Sequence, residues 1–267
     1  MSGVFSLHAL LAGVQKAPRW AILFGDTSPA VLQDLAFHVW LVTDGDTIGL
    51  VDAGLPLDEA GRHELNETAR PSGDEALFRD VRLLPDLLDD LGLSGSDIDF
   101  VAITQTVTYH TGGIDAELLP HAQFYISKAG VLEMLDNPPG HPPTQCYFPA
   151  RGWAAIRQLA IEGRLHLVDD PTEIVPGVIF ETTGGHHPGS AGLRIRTERG
   201  TTGLLETAFV QENLDTATPV GISENIAESR SAIRRYLAEC DEVIAIHDTA
   251  NVERFPARNW RKGGRFR

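Results

Sequence analysis

The sequence predicts an α/β fold in which two β-sheets are sandwiched between helices. Short apolar runs fall into two groups, one before and one after residue 164, and each group is accompanied by segments with helical spacing. Sheets built from such runs need cover on both faces, which favours sheet packed on sheet with helices outside. The length of 267 residues suits one large domain. We expect a single domain over residues 1–267, with its core at about 36–256 and a basic C-terminal tail at 257–267.

The first group of strands begins with a predicted hairpin. Residues 37–43 and 47–51 are rich in β-formers and flank Asp44-Gly45-Asp46, a turn sequence. Further strands are predicted at 100–104 and 122–127, and a helix near 128–135. Residues 74–92 show apolar residues at helical spacing, so we expect a helix that Pro85 kinks or splits and that stops at Gly92.

The second half alternates helix and strand. Residues 153–161 predict a helix, apolar segments after residue 164 predict several strands, and residues 229–240 predict an amphipathic helix with Ile233 and Leu237 one turn apart. Residues 243–246 form the last predicted strand. Residues 136–150 are rich in proline and read equally well as a lid over a site or as a plain surface connection.

Composition narrows the range of partners. The formal net charge of −15 disfavours binding to nucleic acid, and no apolar run reaches the ~18 residues of a membrane span. Two cysteines, Cys146 and Cys240, do not make a disulfide framework and are expected to be inert, so we expect a cytoplasmic protein. The basic tail is expected to be solvated or to dock a partner.

Five segments place polar residues directly after an apolar strand, where functional residues collect. They are Asp52, the stretch from Gln105 to His110, the stretch Gly185-His186-His187-Pro188-Gly189, Glu206, and His247-Asp248. Imidazoles and carboxylates gathered in this way suit a metal site or proton transfer.

The order of these segments resembles the metallo-β-lactamase superfamily. That family carries His-x-His-x-Asp-His followed by Gly-Gly, and the matching stretch here is Gln105-Thr106-Val107-Thr108-Tyr109-His110 followed by Thr111-Gly112-Gly113. The Gly-His-x-Pro-Gly motif is present at residues 185–189. Asp52 matches the aspartate in the family's early strand-turn. Glu206 stands where the family has its later aspartate, and His247 matches its last histidine. The resemblance covers about residues 36–256.

The branch that looks most similar contains N-acyl homoserine lactonases and 4-pyridoxolactonase. The resemblance implies an αβ/βα four-layer sandwich, with two mixed β-sheets flanked by helices. It also implies two metal ions and hydrolysis of lactones by a bridging hydroxide. Relatives are often monomers or homodimers, and the expected partner is a small-molecule substrate.

Departures from the motif predict a reduced metal site. The family's first metal uses the positions of Gln105, Val107 and His186, and one histidine does not hold zinc, so this position is expected to be lost. The second position would use His110, Glu206 and His247, with His186 joining and Tyr109 adding a phenol oxygen. One carboxylate and neutral imidazoles suit at most one divalent cation, Zn, Mn or Fe.

Three functions remain open at this point. The first is a hydrolase of a small lactone, ester or amide with an at most mononuclear site, in which Tyr109, Glu206 and His186 are catalytic. The second is a metal-independent acid/base enzyme, a hydrolase, lyase or isomerase. The third is a non-catalytic binding protein. His187 is expected to be a loop histidine, and Asp52 and Asp248 are expected to support the structure.

Overall fold

A computed structural model describes residues 3–28, 31–136, 148 and 150–257 of the chain. In this part of the protein the strands form two mixed sheets, of six and five strands. The first sheet runs in chain order, through β1 (Ser6–Pro18), β2 (Leu32–Thr43), β3 (Ile48–Val51), β4 (Phe100–Ile103), β5 (Gln123–Ser127) and β6 (Leu165–Val168). The second runs in the order β11 (Glu242–Ala245), β10 (Gly200–Leu205), β9 (Ala191–Thr197), β8 (Val178–Thr182) and β7 (Thr172–Val175).

The predicted hairpin is confirmed. Strands β2 and β3 pair antiparallel with Trp40 opposite Val51, and Asp44 Oδ1 accepts the backbone N–H of Thr47 in the turn. From β3 to β6 the strands are parallel, so their carboxyl ends share one edge of the first sheet. In the second sheet β10 and β11 are parallel and their carboxyl ends are adjacent.

Helices accompany both sheets. Their bounds are α1 (Arg19–Ile22), α2 (Glu59–Ala69), α3 (Leu84–Asp89), α4 (Thr108–Thr111), α5 (Lys128–Leu135), α6 (Ala150–Ile161), α7 (Gln211–Asp215), α8 (Ile226–Glu239) and α9 (Asn251–Arg254). Short 3₁₀ turns lie at Arg70–Ser72, Asp74–Ala76 and Gly95–Asp97. In the described ranges, no helix is both long and apolar enough to cross a membrane.

The core has the layers that the sequence predicts. Between the sheets, Trp40 and Phe100 of the first sheet pack in one cluster with Phe180 and Leu204 of the second. Helices α3, α5 and α6 cover the outer face of the first sheet, and α8 covers the outer face of the second. The order helix, sheet, sheet, helix is the αβ/βα sandwich.

The predicted helix over residues 74–92 is wrong in its first half. Arg79 forms an isolated bridge with Val14 of β1, and Asp80 has a φ of 54°, which breaks a helix. Pro85 lies in the first turn of α3, where the backbone needs no amide hydrogen, so of the two predicted effects it separates the segment and does not kink a helix. Gly92 has a φ of 67° and terminates the segment, as predicted.

Two expectations fall wholly or mostly outside the described residues. In the proline-rich segment predicted at 136–150, residues 137–147 and 149 lie outside the described residues, and Cys146 is among them. The basic tail also lies outside them from residue 258 onward. The helix predicted at 229–240 is confirmed as α8, although only Ile233 of the predicted apolar pair is buried and Leu237 is exposed.

Candidate active site

The strand ends of both sheets meet at one buried site. Asp52 follows β3, and His110 lies on α4 just after β4, both on the first sheet. The β8–β9 loop carries His186, while Glu206 and His247 follow β10 and β11 of the second sheet. All five side chains are buried. The site therefore straddles the two sheets.

Asp52 fixes the orientation of His110. Its Oδ2 atom accepts from Nδ1 of His110 at 2.7 Å, and its Oδ1 atom accepts from the backbone N–H of Thr104 at 2.8 Å. The Thr104 hydroxyl also donates to the same carboxylate. Asp52 has a φ of 63°, and a left-handed backbone is the kind of strain that collects at functional sites.

The charge of Asp52 also sets the protonation of His110. Burial disfavours the imidazolium, but the Asp52 carboxylate outweighs burial and raises the pKa of His110 above its ordinary value. The Asp52 carboxylate thus makes His110 easier to protonate than burial alone would allow.

His186 and Glu206 form a buried pair. Nδ1 of His186 donates to Oε1 of Glu206 at 2.6 Å. Burial lowers the pKa of His186, and although burial also disfavours the Glu206 carboxylate, the neighbouring histidines lower the pKa of Glu206. At neutral pH the pair therefore consists of a neutral imidazole and an anionic carboxylate, and Nε2 of His186 holds a lone pair.

The Gly-His-x-Pro-Gly motif places His186 through tight backbone packing. A Cβ on Gly189 would lie 2.3 Å from Cα of Gly130 in α5, closer than any side chain can approach. The backbone N–H of Ala191 donates to the carbonyl of Thr104 and so joins this loop to the end of β4. The glycine thus lets the two sheets approach at the site.

His247 is held by the backbone of β2. Its Nδ1 atom donates to the carbonyl oxygen of Ala36 at 3.2 Å, and the amide of Ala36 donates to the carbonyl of His247. Two residues after Ala36 on β2, His38 donates from Nδ1 to the carbonyl oxygen of Ile246. Burial lowers the pKa of His247 well below its ordinary value, so this imidazole is neutral.

Ring contacts show that the histidines converge. The ring centroids of His110 and His247 are 5.1 Å apart, and Phe209 lies 5.1 Å from His247 and 5.0 Å from His186. Tyr109 is half-buried, with its ring 5.1 Å from His110 and 6.2 Å from His247. Phe209 thus contacts both His186 and His247, and His247 contacts His110.

Tyr109 also borders a surface cleft. Its ring packs on Phe37 at 4.7 Å, and Phe78 lies 6.4 Å away. Phe78 in turn lines a cleft together with Leu55, Arg62, Leu65, Asn66 and Val81. An aromatic layer of Phe37, Phe78 and Tyr109 therefore separates this cleft from the histidines.

Gln105 and Val107 occupy the positions where the family has histidines. Val107 is buried in the apolar core, and its backbone N–H donates to Oε1 of Gln105 at 2.6 Å. Valine offers no ligand atom, and the oxygen of Gln105 is already engaged. The loss of the first metal position stays a prediction.

The remaining donor atoms fit one metal ion in kind and orientation. The Nε2 atoms of His110, His186 and His247 and Oε2 of Glu206 are buried with no hydrogen-bond partner. Each Nδ1 atom is held by a carboxylate or a carbonyl, the arrangement that orients metal-binding imidazoles. However, no three of these predicted donors meet within 4.8 Å of one another among the described residues, so the site is looser than a closed metal centre.

A tighter group lies beside the site. Glu133, His187 and Glu224 each offer one atom to a set in which all three lie within 4.8 Å of one another. Nδ1 of His187 is 2.8 Å from Glu224 and 3.6 Å from Glu133. Burial opposes protonation, but the glutamates prevail and raise the pKa of His187. His187 thus lies in a loop, as predicted, and contacts both glutamates.

Several residues of the site were not predicted. Thr104 was assigned to a strand, and no role was given to Phe37, His38 or Phe209. Thr104 could have been found from its place at the end of β4, next to the polar stretch. Phe37 and Phe209 carry no signal in a single sequence, because apolar site residues and core residues have the same pattern. His38 lies inside a predicted strand and belongs to no motif.

Comparisons with known proteins agree with this fold. No family model matches the chain, and no curated protein matches it. Among solved structures, an N-acyl homoserine lactone hydrolase with N-hexanoyl-L-homoserine at its catalytic metal centre superposes with a TM-score of 0.74 at 19% identity, covering 94% of this chain and 96% of that one. A hydrolase of the β-lactamase superfamily superposes with a TM-score of 0.64 at 17% identity, covering 94% of this chain and 89% of that one. The dizinc quorum-quenching lactonase AidC, in complex with its product, gives 0.64 at 16%, with 92% and 88% covered.

These likenesses define the class of fold. The chain has the metallo-β-lactamase fold over most of its length, and the resemblance read from the motifs is confirmed at this level. Its neighbours are lactonases and other hydrolases of that fold. At identities of 16–19% the likeness carries the fold, and activity has to be argued from the site.

Proposed function

We propose that this protein is a hydrolase of a small lactone, ester or amide that uses at most one metal ion. The observation that carries the proposal is the set of buried atoms without partners, namely Nε2 of His110, His186 and His247 and Oε2 of Glu206. A buried polar atom without a partner costs about 1–3 kcal/mol. Four such atoms around one space indicate a site that is completed by a ligand.

His110, Glu206 and His247 would hold the cation, with His186 within reach through its contact to Glu206. A divalent cation there would supply Lewis acidity and make water a stronger nucleophile near neutral pH. Asp52 supports this role, because a carboxylate on Nδ1 keeps the Nε2 lone pair of His110 directed into the site.

The chain's own groups account for the movement of protons. Glu206 is anionic and accepts a proton from the attacking water, whose oxygen adds to the carbonyl carbon of the substrate. The acyl–oxygen or acyl–nitrogen bond then breaks, and the leaving atom takes up a proton from the Glu206–His186 pair or from the phenol of Tyr109. The products are a carboxylic acid and an alcohol or amine, which are one molecule when the substrate is a lactone.

A metal-independent acid/base enzyme is the second candidate. Two observations favour it: the predicted donors do not draw three atoms within 4.8 Å, and His186 and Glu206 already form a hydrogen-bonded pair at 2.6 Å. A carboxylate paired with a neutral imidazole can act as a general base without a cation. Gln105 and Val107 fit this candidate equally well.

Elemental analysis of untagged protein separates the candidates. About one equivalent of Zn, Mn or Fe that survives dialysis, with ester or lactone hydrolysis lost on chelation, supports the single-metal hydrolase. Turnover that resists chelators in metal-free protein supports the acid/base enzyme. Absence of turnover on lactone, ester and amide panels overturns hydrolysis and leaves a lyase, an isomerase or a binding protein.

A further inference from the structure

We propose that the side-chain amide of Gln105 is a catalytic hydrogen-bond donor, which binds the carbonyl oxygen of the substrate as negative charge develops on it. The inference rests on the proposed hydrolase function and adds a residue to it. In the family, a metal ion at the first position would be an electrophile that faces the carbonyl oxygen. The amide of Gln105 would take over part of that role.

The orientation of the amide follows from its anchor. The backbone N–H of Val107 can only donate, and it donates to Oε1 of Gln105 at 2.6 Å. The other end of the amide, Nε2, therefore points away from this anchor. It is buried and has no hydrogen-bond partner, and the Gln105 side chain as a whole is 1% exposed.

An unsatisfied buried amide group is costly. Leaving such a donor unpaired costs about 1–3 kcal/mol, and natural proteins pair the great majority of these groups. The structural contact to the Val107 N–H uses only the oxygen of the Gln105 amide. That contact gives the NH₂ group no role. The unpaired Nε2 atom therefore indicates a partner that arrives with the substrate.

The position of Gln105 puts this donor at the strand end that carries the site. On one side, Thr104 contacts the Asp52 carboxylate and lies 3.4 Å from Nδ1 of His110. Two residues after Gln105, the carbonyl oxygen of Val107 accepts the backbone N–H of His110, at the start of α4. Gln105 thus lies between two residues that contact His110.

Glutamine suits this role because it is neutral. A histidine in the same place would bind a cation or titrate near neutral pH, whereas an amide donates at every pH. A fixed donor in a buried site stabilises an oxyanion without reorganisation, and removing one such donor lowers kcat by about 10²–10³.

Two variants separate the donor from the anchor. Gln105→Glu keeps an oxygen for the Val107 N–H and removes the amine, while Gln105→Met has a similar length and removes both. The wild type and both variants are assayed for kcat and KM on p-nitrophenyl acetate and γ-butyrolactone. Binding of methylphosphonate, a tetrahedral anion, is measured by calorimetry, and folding by circular dichroism and thermal unfolding. Metal content is recorded for each protein.

A substrate donor predicts that both variants lose about 100-fold in kcat with little change in KM, and that both bind methylphosphonate at least tenfold more weakly. If Gln105→Glu keeps wild-type kcat and methylphosphonate affinity while Gln105→Met loses them, Gln105 is only an anchor and the inference is overturned. Unchanged kcat in both variants overturns it as well.

The activity of the wild type separates a failure of the hydrolase proposal from a failure of the role of Gln105. A wild-type protein that hydrolyses neither probe and no member of the lactone, ester and amide panels overturns the proposed function and the role of Gln105 together. An active wild type with unaffected variants overturns the role of Gln105 alone.

Discussion

Nδ1 of His186 donates to Oε1 of Glu206 at 2.6 Å, and both side chains lie almost wholly out of contact with solvent. This pair joins the β8–β9 loop to the end of β10 and leaves Nε2 of His186 and Oε2 of Glu206 without partners. We expect these two atoms to contact the ligand of the site.

Substitution Glu206→Gln should lower metal occupancy or kcat/KM at least tenfold, because an amide neither neutralises a cation nor accepts a proton from water. Steady-state kinetics and elemental analysis measure the two quantities. The matched control is Glu181→Gln, another buried glutamate of the second sheet, which pairs with Arg235 instead of the site. The control should lose stability and keep kcat/KM. Unchanged occupancy and activity in Glu206→Gln would show that Glu206 has no part in the site.

Substitution Asp52→Asn should lower the pKa of His110, because the carboxylate is what raises it against burial. Asparagine tolerates the left-handed backbone at this position, so the loss reflects the charge and its hydrogen bonds. We expect the free energy of unfolding to fall by about 1–3 kcal/mol. NMR titration of the His110 imidazole in metal-free protein reads the pKa directly. A His110 pKa that stays at the wild-type value contradicts the assigned cause.

The stability of the protein should fall below pH 6.5 in part through His38. Burial lowers the pKa of His38 from 6.5 to about 4, so between these values the unfolded chain binds a proton that the folded protein excludes. The contribution is fully present above pH 6.5 and is lost as the pH falls toward 4. It amounts to about 3 kcal/mol, at 1.36 kcal/mol per pKa unit.

The variant His38→Asn isolates this effect, because its amide can still donate to the carbonyl of Ile246 while it does not titrate. Urea unfolding at pH 7 and pH 4.5 should show a decrease that is about 2–3 kcal/mol smaller in the variant than in the wild type. Equal decreases in the two proteins would mean that His38 is not the acid-sensitive group.

Substitution Gly113→Ala should destabilise the fold strongly. A Cβ there would lie 2.0 Å from the carbonyl oxygen of Ala53, so the backbone after β3 would have to move. Overpacking of this kind costs about 1–3 kcal/mol or more, and it would displace the neighbouring Asp52. Thermal unfolding measures the effect. Gly92→Ala is the comparison, because it meets no atom within 4 Å and suffers only the strain of its positive φ, so it should be the milder change.

Much of the fold could be predicted because its central strands are short and apolar and are bounded by turn residues. The hairpin of β2 and β3 and the strand β4 were predicted to within a few residues. Strand β1 was not, since residues 6–18 mix apolar, small and charged residues and contain a bulge between Leu11 and Gly13. Its pairing with β2 along most of its length depends on tertiary contacts that no local pattern shows.

The first half of the helix predicted at 74–92 is wrong because apolar spacing does not show the conformation of the backbone. Val81 has the spacing of a core residue but is 40% exposed, since Arg79 bridges to β1 and Asp80 turns the chain. At the site, His110 lies beside His247 and His186 beside Glu206, while the joint role of these four residues stays a prediction. The order along the chain could not reveal which ring nitrogen each histidine presents, because that depends on partners such as Ala36 from another strand.

Because His110 belongs to one sheet and Glu206 and His247 to the other, the site exists only after the two halves of the sandwich have docked. No hairpin, helix or single sheet of this chain can hold it alone. A ligand that binds His110 together with Glu206 or His247 will therefore stabilise the contact between the two sheets. It will slow their separation more than it slows local unfolding within either sheet.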